Sequence, residues 1–160
     1  MADTDVKTGV LTIIGIDPGL VHTGVVIMQF RPDWSLHVQE HVFAGDKSMD
    51  VVPLVKRYHD AYIFIEAYRP RGNIYKQDER MRKLVNDLNS AIRRGKIVDN
   101  TGVKHVVSQE LMEVFDVWTF SQKTHHQDLR SAARIAIYGA LKDMELNQVL
   151  FDYAQHKLGL

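Results

Sequence analysis

Short β-branched runs alternate along the chain with longer stretches whose apolar residues recur every three or four positions. Residues 11–17 (LTIIGID), 24–30 (GVVIMQF) and 62–67 (YIFIEA) have the length and composition of buried strands, and 35–43 (SLHVQEHVF) alternates apolar and polar like a half-exposed one. The first three of these in chain order are joined by short Gly- or Pro-Asp-bearing connections, which predicts an antiparallel meander. Residues 48–59 suggest a helix with Ser48 as its cap and Pro53 near its first turn. The clearest helix runs over 76–94, where Met81, Leu84, Val85, Leu88, Ala91 and Ile92 share one face and Gly95 supplies a stop. A short strand is expected at 103–108 (VKHVVS), then helices at 109–116, about 126–141 and 143–157. The resulting order, βββαβαβα(α), is α/β: a five-stranded mixed sheet flanked by helices.

Composition narrows the class without naming a function. A length of 160 residues suits one domain, 1–160, with 1–9 expected to be a flexible tail. Apolar residues make up 45% of the chain, and no run approaches the roughly 20 residues needed to span a bilayer. The polar, partly acidic start MADTDVKTG does not read as a secretory signal, so a cytoplasmic location is expected. With no cysteine, any metal must be held by Asp, Glu or His, and a carboxylate-rich set favours Mg²⁺ or Mn²⁺. Net charge is zero, yet residues 69–96 hold nine Lys/Arg against three acids and the rest of the chain is net −6. Such a segment is either a footprint for a polyanion or a solvated helix face.

Three carboxylate positions stand out. Asp17 ends the first strand and Glu66 the fourth, so the two would share a sheet rim if those strands were adjacent and parallel. Asp128 opens a late helix, three residues after His125 and ahead of the small residues Ala132, Ala133, Ala136, Gly139 and Ala140. An acid at a strand end or in a first helical turn is ordinarily just solvated, the latter favoured by the helix dipole. Together, two strand ends and one helix start could form a cage for Mg²⁺.

The stretch IIGIDPGLVHTG, residues 13–24, resembles the first strand and turn of RNase H-like (retroviral-integrase) nucleases, and more narrowly of the RuvC-type Holliday-junction resolvases. YIFIEA matches that family's fourth strand with its terminal Glu, and HHQDLRSAARIAI its final helix. The resemblance spans about 11–141 and implies the RNase H-like fold. It also implies a Mg²⁺-dependent endodeoxyribonuclease that resolves four-way junctions in DNA recombination and repair. The catalytic metal ligands it implies are Asp17, Glu66, His125 and Asp128, holding two Mg²⁺ about 3.5–4 Å apart, with Mn²⁺ as a substitute. A second registration, with Asp128 first and Ser131 second, leaves a hydroxyl where a carboxylate is expected, so the fourth ligand stays open.

The same resemblance gives the basic segment a role. Arg69, Arg71, Lys76 and Arg80, with Lys104 and Lys123, become phosphate-contact candidates, and Tyr68 and Tyr75 either stack on exposed bases or pack as half-buried loop aromatics. The family's homodimer, built on the helix at 76–94, suits a two-fold substrate. Gly19 and Gly24 read as the corner between the first two strands. The small size suits a bacteriophage or a bacterium. The alternatives are a same-fold nuclease for flaps, other branched DNA or RNA, and a non-catalytic nucleic-acid-binding module with a decayed site.

Overall fold

The computed structural model describes residues 9–70 and 75–160, with only the backbone of Tyr75. The expected tail therefore lies outside the described residues except for Gly9, and so does Arg71. Strands β1 (Leu11–Asp17), β2 (His22–Phe30) and β3 (Leu36–Ala44) form the antiparallel meander. Strands β4 (Tyr62–Glu66) and β5 (Gly95–Val98) extend it in parallel, giving among the described residues the order β3-β2-β1-β4-β5. Helices α1 (Val51–Lys56), α2 (Tyr75–Ile92), α3 (Val103–Val106), α4 (Gln109–Val114), α5 (His126–Lys142) and α6 (Asn147–Leu158) complete the chain. None of the described helices is long and apolar enough to cross a membrane.

Because side chains alternate along a strand, β1, β2 and β4 each supply two cores. Ile14, Ile16, Val25, Ile27, Ile63 and Ile65 pack with Val51, Leu54 and Val55 of α1 and Val85, Leu88 and Ile92 of α2. Ile13, Val26, Met28, Phe30 and Phe64 face the other way, onto Leu129, Ala132, Ala133 and Ala136 of α5. On that second face the helix comes unusually near. A Cβ added at Gly15 would stand 1.9 Å from the carbonyl oxygen of Ala132, and one at Gly24 would stand 2.7 Å from that of Asp128. Only glycine fits at these two strand positions.

Several local expectations change. The fifth strand is Gly95–Val98 rather than 103–108. Residues Val103–Val106 instead make one helical turn, with Val103 and Val107, four apart, buried on its inner side. Gly95 consequently opens a strand instead of capping α2. The left-handed residue after that helix is Arg93, at φ 69°, whose N–H donates to the carbonyl of Asn89. Ser48 does not cap α1. It lies buried in the 3₁₀ turn Gly45–Asp50, its hydroxyl 2.8 Å from that of Thr23. Thr23 in turn accepts from the N–H of Gly19 at 3.2 Å, so Thr23 and Ser48 pin the turn that follows Asp17. Gly24 is no part of that corner; it sits inside β2, opposite Asp17.

Candidate metal centre

Asp17 and Glu66 are each two residues beyond a position that faces α5, Gly15 and Phe64 respectively, so both carboxyls emerge on that side. The parallel register pairs Ile16 with Ile65, and one step further the two acids stand side by side. The two carboxyls are within hydrogen-bonding reach of one another. Burial, the charge of Glu66 and a hydrogen bond with it, and the charge of Asp128 together push the Asp17 carboxyl well above the usual carboxylate range. Burial also raises Glu66, partly offset by hydrogen bonds from Asp17 and Asn100 and by the positive charges of Arg134 and Lys104. Asp17 and Glu66 at the end of the sheet, with the charge of Asp128 acting on Asp17, offer oxygen donors whose chemistry fits a hard divalent cation.

Asp128 lies in the first turn of α5, and His125 caps that helix from the end of the 3₁₀ turn Lys123–His125. His125 Nδ1 stands 3.5 Å from Asp128 Oδ2. The four expected ligands thus fall into two pairs. All four side chains are half-buried, and the charge of Asp128 acting on Asp17 ties the helix-start pair to the strand pair. The loop leading into α5 is held in place. Glu40 of β3 accepts from the N–H groups of Ser121 (2.8 Å) and Gln122 (3.1 Å), and Arg130 lies over the Trp118 ring at 3.7 Å.

Two cavities meet at Glu66 and Asn100. One, of about 540 Å³, is lined by Asp17, Pro18, Glu66, Tyr68, Arg69 and Gln77 among others. The other, of about 450 Å³, is lined by Glu66, Asn100, Lys104, Ser131 and Arg134 among others. Of the expected phosphate-contact residues, Arg69 and Lys104 therefore open onto the carboxylates. Lys76 and Arg80 are exposed on the first turns of α2, and Lys123 lies in the turn before α5. Arg71 and the side chain of Tyr75 are outside the described residues. Tyr68 is half-buried against the α1–α2 core, and its hydroxyl donates to Asp78. Ser131 lines the second cavity, on the Glu66 side of α5.

The sequence reading passed over His22, Asn100 and Arg134. His22 lies within the quoted motif, two positions before Gly24 and so on the same face, a spacing that could have placed it toward α5. Asn100 and Arg134 had no such signal, since an Asn in a loop and an Arg in an exposed-looking helical stretch are ordinary.

No protein-family model matches the chain, and no curated protein matches its sequence. Solved structures do match. Thermus thermophilus RuvC in complex with a Holliday junction substrate superposes with a TM-score of 0.58 at 14% identity, covering 89% of this chain and 94% of that one. A second Thermus thermophilus RuvC structure gives 0.53, also at 14% identity, with coverage of 81% and 95%. With its mixed five-stranded sheet and flanking helices in the same arrangement, the chain has the RNase H-like fold in the form seen in RuvC.

Proposed function

We propose that this protein is a metal-dependent DNA endonuclease that resolves four-way junctions by paired phosphodiester hydrolysis. The observation that carries the reading is the juxtaposition of Asp17 and Glu66, with the charge of Asp128 acting on Asp17. The likeness to RuvC, solved with a Holliday junction substrate, supports the choice of substrate.

Asp17, Glu66, Asp128 and His125 would hold divalent ions, with Mg²⁺ as the physiological choice. When bound, such ions supply the charge that activates water for attack at phosphorus and steadies the departing 3′ oxygen. Asp17 projects from the central strand, where position is best fixed, and would meet the ions as a carboxylate. Asn100 orients Glu66 by donating to its carboxylate. Lys104 and Arg134, on the far side of Glu66, are placed to hold a phosphate of the bound strand, and Arg134 is itself held by its Nε donating to the Val107 carbonyl at 3.1 Å. Arg69 flanks the other cavity. A homodimer through α2 would present two such sites to the two strands that a junction requires to be cut.

The test is incubation with Mg²⁺ and labelled four-way junction, flap and linear duplex, followed by mapping of the cuts. Symmetric paired nicks near the branch support a resolvase. Equal cutting of flaps, duplex or RNA moves the assignment to a broader nuclease of this fold. No cleavage of any substrate with Mg²⁺ or Mn²⁺ leaves a binding module. Sedimentation of the DNA-bound protein as a monomer would exclude paired nicking by a dimer.

A further inference from the structure

His22 opens β2 on the face covered by α5, just past the end of β1. Its ring meets that of His125 edge-on, with centroids 4.5 Å apart and planes at 66°. One donor atom from each of His22, His125 and Asp128 lies within 4.8 Å of the others, and all three side chains are half-buried, reachable from solvent. The arrangement is fixed by the backbone on both sides. His22 is held in register with Ala44 of β3, and Asp128 starts the helix at the point where Gly24 lets it touch the sheet.

Two imidazoles and one carboxylate are a different donor set from the oxygens of Asp17 and Glu66. Imidazole nitrogen favours first-row transition ions, whereas Mg²⁺ prefers oxygen ligands and keeps much of its water. We infer that His22 joins His125 and Asp128 in a nitrogen-rich divalent site that takes Mn²⁺ or Zn²⁺ in preference to Mg²⁺, beside the all-oxygen pair. The inference extends the proposed function, since His125 and Asp128 belong to both, but it concerns binding and is tested by binding.

The experiment is a titration of the full chain, labelled with ¹⁵N-histidine, with Zn²⁺ and separately with Mg²⁺ at slightly alkaline pH, together with calorimetry for Mn²⁺. Zn²⁺ should shift the ring nitrogens of both His22 and His125, and Mg²⁺ should leave those of His22 in place. His22→Gln, verified as folded by its amide spectrum, should weaken Zn²⁺ and Mn²⁺ binding by about 10–100-fold. Asp17→Asn should retain Zn²⁺ binding at the histidines. Undisturbed His22 signals at Zn²⁺ saturation, or unchanged affinity in His22→Gln, overturn the inference even if the protein cuts junctions. Conversely, His22-dependent binding in a protein that cuts no DNA leaves this site standing and removes the nuclease reading.

Discussion

On the α5 side of the sheet, Gly15 and Gly24 leave no space for even a methyl group between strand and helix backbone. On the α1–α2 side, Ile14, Ile16, Val25 and Ile27 meet Val51, Leu54, Val85 and Leu88 side chain to side chain. Both faces bury apolar surface, yet the candidate metal ligands lie on the close-packed one. Asp17 and Glu66 project toward α5, and the first turn of that helix must come near enough for Asp128 to act on Asp17. Bulky residues at positions 15 and 24 would push the helix start outward and separate the two ligand pairs. The aliphatic face is a platform that fixes the strands, while the glycine-lined face sets a distance between carboxylates.

The largest contrast expected from this difference is in chemistry. Asp17→Asn should lower junction cleavage by about three orders of magnitude, read as single-turnover rates with Mg²⁺, while junction affinity by gel shift stays the same or increases as repulsion falls. Wild-type-like turnover would remove the metal-centre assignment altogether.

Next in size is packing. Gly15→Val should cost about 3 kcal/mol, by driving a side chain into the Ala132 carbonyl, and lower the melting temperature by about 10 °C. Ile14→Val, its neighbour on the opposite face, should cost about 1 kcal/mol. Calorimetry with a metal-binding titration on both variants sharpens the comparison. Divalent binding should suffer in Gly15→Val and survive in Ile14→Val; equal loss in the two would mean that α5 does not set the site's spacing.

The titration of the two acids gives a third, smaller effect. Burial of both carboxyls, with the charges of Glu66 and Asp128 acting on Asp17, raises Asp17 and Glu66 above their values in the unfolded chain. The folded state therefore binds the extra protons, and their contribution to metal-free stability is fully present below the ordinary carboxylate range. It is lost as pH rises through the raised values. Glu40, lowered by its hydrogen bonds from Ser121 and Gln122, works in the opposite sense. Melting in EDTA across this range should show Asp17→Asn with a weaker fall toward neutral pH than wild type, and metal binding by wild type should release protons. Identical pH profiles would show that Asp17 is not held protonated.

The smallest effect is on nucleic-acid contact. Lys104→Ala should weaken junction binding modestly and reduce the salt dependence of the affinity by about one ion equivalent. An unchanged salt slope would take Lys104 out of the phosphate contacts.

Much of this architecture is legible in the chain because short β-branched runs and a strongly amphipathic helix carry their own periodicity. The β1–β4 strands and α2 fall within a few residues of where the pattern puts them. The fifth strand escaped because Gly95–Val98 is four residues long, and its pairing with β4, not its composition, makes it a strand. VKHVVS reads as a strand by content, yet its valines at 103 and 107 satisfy the core through a helical turn. Ser48 looked like a cap because nothing local reveals that Thr23, 25 residues away, takes its hydroxyl.

For the site, sequence alone marked the candidates: an acid at the end of an apolar run at 17 and at 66, and a His-x-x-Asp pair ahead of small residues at 125–128. Such information is local, since strand ends and helix starts are written in side-chain periodicity. Only the tertiary structure decided that β1 and β4 are parallel neighbours, so that Asp17 and Glu66 stand side by side instead of occupying separate rims. It also brought in His22, Asn100 and Arg134, whose relation to the carboxylates depends on strand order and helix docking. Strand order follows from burying both faces of the whole sheet at once, a condition that no single segment of the chain contains.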